Sequence, residues 1–497
     1  MKVTLPALHC KGIQLLAAAY AFSILSILPL YADDGLILLV RSKGNMFLFS
    51  TCVSALAAFF LVVYHRFFQR QRFPSFFRFS ARAYFHVGFI FLCYTISTLL
   101  SRNPTLSFFG LDSRLNGWLM FAGCCLCYCL VFSFVSARHI SGLLGAMLCS
   151  ISLASFIAWL NLFCIDPLGY YSYVDPSARH QFISTVGNIN FFGALLCLGA
   201  PYALYQALFA ARHTRLYFAC AVFLSGSFLV SNSDGPWLSL LFAFFIILCD
   251  KKITSKHAKR FFSILFFCFC IWLLTGLLMY VLPIYAPMRT VSAILCRPAA
   301  ALAGMLLCAC FVFLFDKTHL SARLFFRGCF GLTVFLFGAF FILCNAFHWS
   351  LGPLDSLFQF GPQWGSNRGY VWGRLMYRYF TEFSPLEQLF GIGPDMVNDL
   401  INPVYTQYIV ALNGTTFDSA HNEFLQMLLC TGAVGFFFWL SFLLFHIRRS
   451  RHTAPYLTAS LIAYCIQSFF SIHFPGIFPL FFVLCGFAAI GKSNFKK

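Results

Sequence analysis

Charge is what this 497-residue chain has least of: Asp, Glu, Lys and Arg together make up 10% of it, and only 15 residues are acidic. A water-soluble domain carries roughly a quarter charged residues, so a soluble globular fold of this size is excluded. No Asp-x-Asp occurs, nor any zinc, nucleotide-binding or serine-protease signature, so no metal and no cofactor are expected. The adjacent acids Asp33 and Asp34 point different ways and read as loop residues. Internal repeats, the usual mark of carriers, are not evident.

What fills the chain instead is apolar surface. Hydrophobic residues make up 60%, Phe alone numbers 67, and the mean hydropathy is +0.80. The apolar runs are of bilayer-spanning length. The expected fold is an all-α polytopic integral membrane protein with about fourteen transmembrane helices. The first run, near Gly12 to Tyr31, has no small-residue cleavage site after it and reads as an uncleaved helix. The 22 Cys lie mostly within apolar runs. Cys124, Cys125, Cys127 and Cys129 fall on different helix faces and cannot ligate together, so they read as small hydrophobes.

A net charge of +19 invites a nucleic-acid reading, but the basic residues come in short clusters between apolar runs. Arg66, Arg70, Arg72, Arg78 and Arg82 form one; Lys251, Lys252, Lys256, Lys259 and Arg260 another; Arg448, Arg449 and Arg451 a third. This is the positive-inside pattern, and no nucleic acid is expected as partner. It places both termini in the cytoplasm. Of the acids only Asp250 and Asp316 fall inside. A long extracytoplasmic loop, about 349–421, precedes the third-last helix.

Chemistry is therefore expected on the outer face. Asp418-Ser-Ala-His-Asn-Glu423 closes the long loop and runs into an apolar span, so His421, Asn422 and Glu423 sit where water meets membrane. His421 is the candidate general base, because imidazole titrates near neutral pH. Gly432 and Gly435 follow inside the span, where a missing side chain lets another helix approach. Upstream, Asn367 to Phe380 reads as a short amphipathic helix with Arg374 and Arg378 on one face. Pro385 is expected to end the helical stretch. Arg368, Arg374 and Arg378 are the densest outer basic group, suited to phosphate by their paired donors or to headgroups by snorkelling. Asp234 lies in a tight turn, Ser231-Asn-Ser-Asp-Gly-Pro236, between two spans.

Three patches in order resemble the O-antigen ligase and polymerase superfamily of membrane glycan transferases. Thr185-Val-Gly-Asn-Ile-Asn-Phe-Phe-Gly193 is similar to that family's Gly-Asn-x-Asn at the head of a span. Ser231-Asn-Ser-Asp-Gly-Pro-Trp-Leu-Ser-Leu240 resembles its Ser-Arg-Gly/Ala-x-Leu turn. The third patch joins Arg368 and Trp372, Leu389-Phe-Gly-Ile-Gly-Pro394 and His421-Asn-Glu-Phe-Leu-Gln426. The likeness covers about residues 185–445. It divides the chain into N-terminal helices (1–165), a ligase-like core (166–448) and C-terminal helices (449–497).

The resemblance implies transfer of a glycan from an undecaprenyl-pyrophosphate carrier to a hydroxyl of a glycan, lipid or protein, on the outer face of the cytoplasmic membrane and without metal. His421 would be the base and Arg368 the pyrophosphate stabiliser. Arg374, Arg378, Asn188, Asn190, Asn422 and Glu423 would line the substrate. Members often carry arginine where this chain has Asp234, and Arg289 or Arg297 would replace that contact. The alternative is a polysaccharide or glycolipid transporter, which tends to place charges inside spans; here almost all lie in loops.

Overall fold

The computed structural model describes residues 5–490, apart from 34, 36–37, 68–79, 177, 353–354, 402–406, 408–409 and 412–416. Asp34 and the basic residues Arg70, Arg72 and Arg78 therefore lie outside the described residues. The chain is helical almost throughout. In order the main helices are α1 (Leu5–Phe22), α2 (Leu39–Phe67), α3 (Ala81–Leu99), α4 (Pro104–Phe109), α5 (Trp118–Phe134) and α6 (Ala137–Leu162). Then follow α7 (Ile189–Phe209), α8 (Thr214–Gly226), α9 (Asp234–Leu248), α10 (Ser255–Leu278), α11 (Pro298–Lys317) and α12 (Ala322–Ala346). Last come α13 (Trp364–Thr381), α14 (Pro385–Phe390), α15 (Glu423–Thr453), α16 (Pro455–Ser468) and α17 (Phe478–Ala489). Two two-residue strands, Phe182–Ile183 and Gly187–Asn188, pair antiparallel just before α7.

Among the described residues, eight helices are long and apolar enough to cross a bilayer, and four more apolar helices are shorter. This is a helical membrane protein. Burial separates centre from rim. Helix α7 is almost wholly buried, with 94% of its apolar window inside the protein, whereas α12 buries 6%. A helix apolar on every side has to be enclosed by protein or by lipid. Helices α7 and α17 take the first solution. Helix α12, which exposes Leu324, Phe335 and Ile342, takes the second.

Almost all charge is expected in loops, and Lys43 departs from that. Lys43 in α2 is fully buried, its Nζ donating to the carbonyls of Leu28 (2.7 Å) and Pro29 (2.9 Å). Those carbonyls end a short helix, Leu28–Leu30, where a cation offsets the dipole. The glycines of α15 meet close neighbours. Gly432 has left-handed φ (+68°) and breaks the helix. A side chain there would collide with the backbone of Leu389 and Phe390, at the end of α14, while Gly435 faces Cys93 of α3. The helix before Pro385 stops as expected, at Thr381, but Pro385 also begins α14, because Ser384 and Glu387 form a capping box around it. Proline fits the first helical turn, where its missing N–H has no intrahelical partner to lose.

Candidate active site

The site is built where α15 begins. Asn422 caps that helix, its side-chain oxygen accepting from the amides of Phe424 (3.0 Å) and Leu425 (3.1 Å). Such a cap stabilises by about 1 kcal/mol and turns the amide inward. Glu423 is also turned inward and buried, its Oε1 2.8 Å from His473 Nε2. Both residues, expected to line the substrate, face protein.

His421 sits immediately before the cap with left-handed φ (+47°). A non-glycine residue costs on the order of 1 kcal/mol there, so its surroundings must impose the geometry. They do: Trp372 of α13 donates to the Ala420 carbonyl (2.8 Å), and the Ala420 amide donates to Gln426 Oε1 (2.9 Å). The imidazole Nδ1 is 3.0 Å from Ser419 Oγ, which donates to Asp418 Oδ1 at 3.1 Å. Asp418 is gripped by both prongs of Arg114, at 2.7 and 2.9 Å. Phe417 lies against the ring, centroids 5.1 Å apart. Withdrawal from water pushes the imidazole well below its ordinary pKa, the Arg368 and Arg114 charges push the same way, and Asp418 pulls back.

Arg368 opens the regular part of α13, after three left-handed residues, Gly365, Ser366 and Asn367. That twist turns its side chain back, with Nη1 donating to the Gly365 carbonyl (3.0 Å). Its Nε is buried without a hydrogen-bond partner among the described residues. Burial lowers the guanidinium to about 10, which leaves it charged at neutral pH. Arg368 thus remains a cation with an unused donor, and its charge acts on the His421 ring.

The other arginines of α13 point elsewhere. Arg374 is exposed and lies over the Tyr370 ring (5.3 Å). Arg378 pairs with Glu382 at 2.7 Å and donates to the Leu400 carbonyl. Of these three arginines of α13, Arg368 is the one whose charge acts on His421, and residues six and ten positions on leave by other faces.

The first two sequence patches meet each other. Asn188 caps α7 through the Asn190 amide (2.8 Å), and the Asn190 side chain accepts from Ser233 Oγ (2.7 Å). Burial pushes the Asp234 carboxyl up, while neighbouring Thr290, Val291 and the charge of exposed Arg289 pull it back. Asn232 accepts from the Arg289 amide (2.7 Å). The acid where an arginine was expected therefore sits next to Arg289. The end of α16 connects these patches to the third. Gln467 donates to the Asn190 carbonyl (3.2 Å), Phe469 packs on Trp372 (5.4 Å) and Phe470 on Trp364 (6.2 Å). A side chain on Gly235 would press on Phe470.

Several residues at the site were not singled out from the sequence. Arg114 and Asp418 lie 304 positions apart, and no local spacing announces such a pair. Asp395 is buried, its Oδ2 accepting from the amides of Leu111 (2.8 Å) and Asn116 (3.2 Å). Burial pushes it up to about 6 against those amides and Arg114. With Glu423, His473, Tyr94, Asn116 and Gln426 it lines a cavity of about 10 Å³, the space of one water. Among the described residues, no group of three or more His, Cys, Asp or Glu is arranged to hold a metal ion.

No protein-family model matches the chain, and no curated protein matches it.

Proposed function

We propose that this chain is a membrane glycan transferase of the kind its three patches resemble, the O-antigen ligases and polymerases. The carrying observation is an Arg368 guanidinium whose Nε is buried without a partner among the described residues and whose charge bears on the imidazole of His421. The donor is a glycan on undecaprenyl pyrophosphate; the acceptor is a hydroxyl of a glycan, lipid or protein. The acceptor oxygen attacks the anomeric carbon as its proton passes to His421. The bond from that carbon to the pyrophosphate oxygen breaks, and the electron pair leaves on a diphosphate held by Arg368. In this reading Arg289, beside Asp234, takes the second phosphate contact. The topology we propose has fourteen spans in the cytoplasmic membrane, both termini inside and residues 349–421 outside.

Each of the two groups is worth on the order of 100-fold or more in rate. In cells depleted of their own copy, His421→Ala and Arg368→Ala are expected to accumulate carrier-linked glycan and make no product. Full product from both variants refutes the mechanism. Purified protein should keep its turnover in EDTA, since Arg368 supplies the positive charge; loss of turnover there, restored by a divalent ion, argues for a metal instead.

A second reading, a glycolipid transporter, draws on the buried carboxyls of Asp395 and Glu423, a kind of group common on transport pathways. Vesicles loaded with donor and no acceptor separate the two. A transporter moves intact donor across the bilayer, and a transferase leaves it in place.

A further inference from the structure

We infer that Asp418 and Ser419 are positioning residues that hold His421 as its Nδ1–H tautomer, leaving Nε2 bare toward the reacting hydroxyl. The inference rests on the transferase reading for its consequence, but the tautomer itself is a statement about the protein alone.

The argument is one of counting protons. A serine hydroxyl has a single hydrogen and two lone pairs. Ser419 Oγ lies between an Asp418 carboxylate oxygen at 3.1 Å and the His421 Nδ1 at 3.0 Å. It can donate to only one. The carboxylate accepts only while ionised, and Asp418 is held ionised by the two-pronged contact with Arg114, which keeps its pKa below the usual range. A hydrogen bond to a charged acceptor is roughly twice as strong as a neutral one. The Ser419 hydrogen therefore goes to Asp418, and its oxygen is left as an acceptor. Nδ1 must then be the donor. In a neutral imidazole the other nitrogen carries the lone pair.

The order of residues makes the relay rigid. Ser419 is 2% exposed, so water does not compete for its hydroxyl. Trp372 and Gln426 fix the intervening Ala420 from either side. When Nε2 takes the acceptor proton, the positive charge that forms is answered through Ser419 by Asp418. Without the relay the same charge would face Arg114 and Arg368 alone. Neither Asp418 nor Ser419 needs to touch substrate.

Labelling with ¹⁵N-histidine in the full-length protein in detergent reads the tautomer directly, and a His421→Gln difference spectrum assigns the signal among the 13 histidines. The expected result is a protonated Nδ1 and a bare Nε2. In Ser419→Ala, which keeps the Arg114–Asp418 pair, and in Asp418→Asn, the signal should move to a mixture or to Nε2–H. The kcat should fall by about 10- to 1,000-fold with the donor KM unmoved; loss of an aspartate that orients a histidine directly costs up to ~10⁴. A wild-type protein with Nε2–H, or two variants with unchanged spectrum, overturns the relay even if His421→Ala is inactive. If His421→Ala retains full activity, the transferase mechanism fails while the spectrum still judges the tautomer.

Discussion

Two cations and one anion act on the His421 ring, and the substrate changes the balance. Burial, then Arg368 and Arg114, favours neutral imidazole; Asp418 opposes them. In the free protein His421 is thus depressed below the ordinary histidine value near 6.5. Acid loss of activity should therefore appear only below that value. A pyrophosphate bound at Arg368 cancels the largest positive charge acting on the ring. The imidazole then becomes more basic when its proton acceptor role begins. Since kcat/KM reports the free enzyme and kcat the complex, the acid limb of kcat should lie at higher pH than that of kcat/KM for donor. With His421 depressed to about 3 in the free protein, rate profiles of purified protein from that pH up to neutrality check this. Coincident limbs, or a kcat/KM limb at or above 6.5, would show that Arg368 and His421 do not share an electrostatic site.

The break in α15 is what lets the polar segment reach into the helices. At Gly432 the chain leaves helical geometry, and the freed carbonyls of Leu429 and Cys430 accept from the amides of Ile392 (3.1 Å) and Gly393 (3.2 Å). Ser97 of α3 also donates to the Cys430 carbonyl. This ties α14, α15 and α3 together, and Asp395, two residues on from Gly393, fixes the segment around Leu111. Gly432→Ala places a Cβ against the Leu389 backbone in a conformation that disfavours side chains by about 1 kcal/mol or more. It should lower the apparent unfolding temperature in detergent by several degrees. Gly88→Ala in α3 is the control, because its Cβ would meet nothing within 4 Å; equal midpoints for the two variants would refute the account. At this scale the sequence was half legible. Gly432 announced a close approach, and the amphipathic period of 367–380 announced α13. Pro385 was legible as a stop but not as a start, since a proline both stops one helix and begins another. Asn422 looked like a ligand because an N-cap and a binding amide use the same residue type at the same kind of place.

The molecule as a whole has two chemically different ends. At one, Arg260 donates to the Ala207 and Leu208 carbonyls where α7 stops and α10 starts, Lys259 pairs with Asp316, and Arg323 reaches the Lys251 carbonyl. At the other, α7, α9 and α15 begin, α16 ends, and Asn190, Asp234, Arg368 and His421 gather. Hydropathy made the bundle legible because each span must bury its own backbone in lipid. The gathering was not legible, since contacts such as Asn190 with Gln467, 277 residues away, leave no local period. The grouping of lysines and arginines at the first end is what decides orientation, as basic loops resist translocation. Epitopes inserted between Ala210 and His213, beside Arg212, and between Thr381 and Ser384, after α13, sample the two ends. In intact spheroplasts an antibody should reach the second and not the first, and permeabilisation should expose both. The reverse pattern would put His421 on the cytoplasmic face. A carrier-linked donor would then have to be used on the side where sugars are activated by nucleotides, and the transferase reading would have to give way to transport.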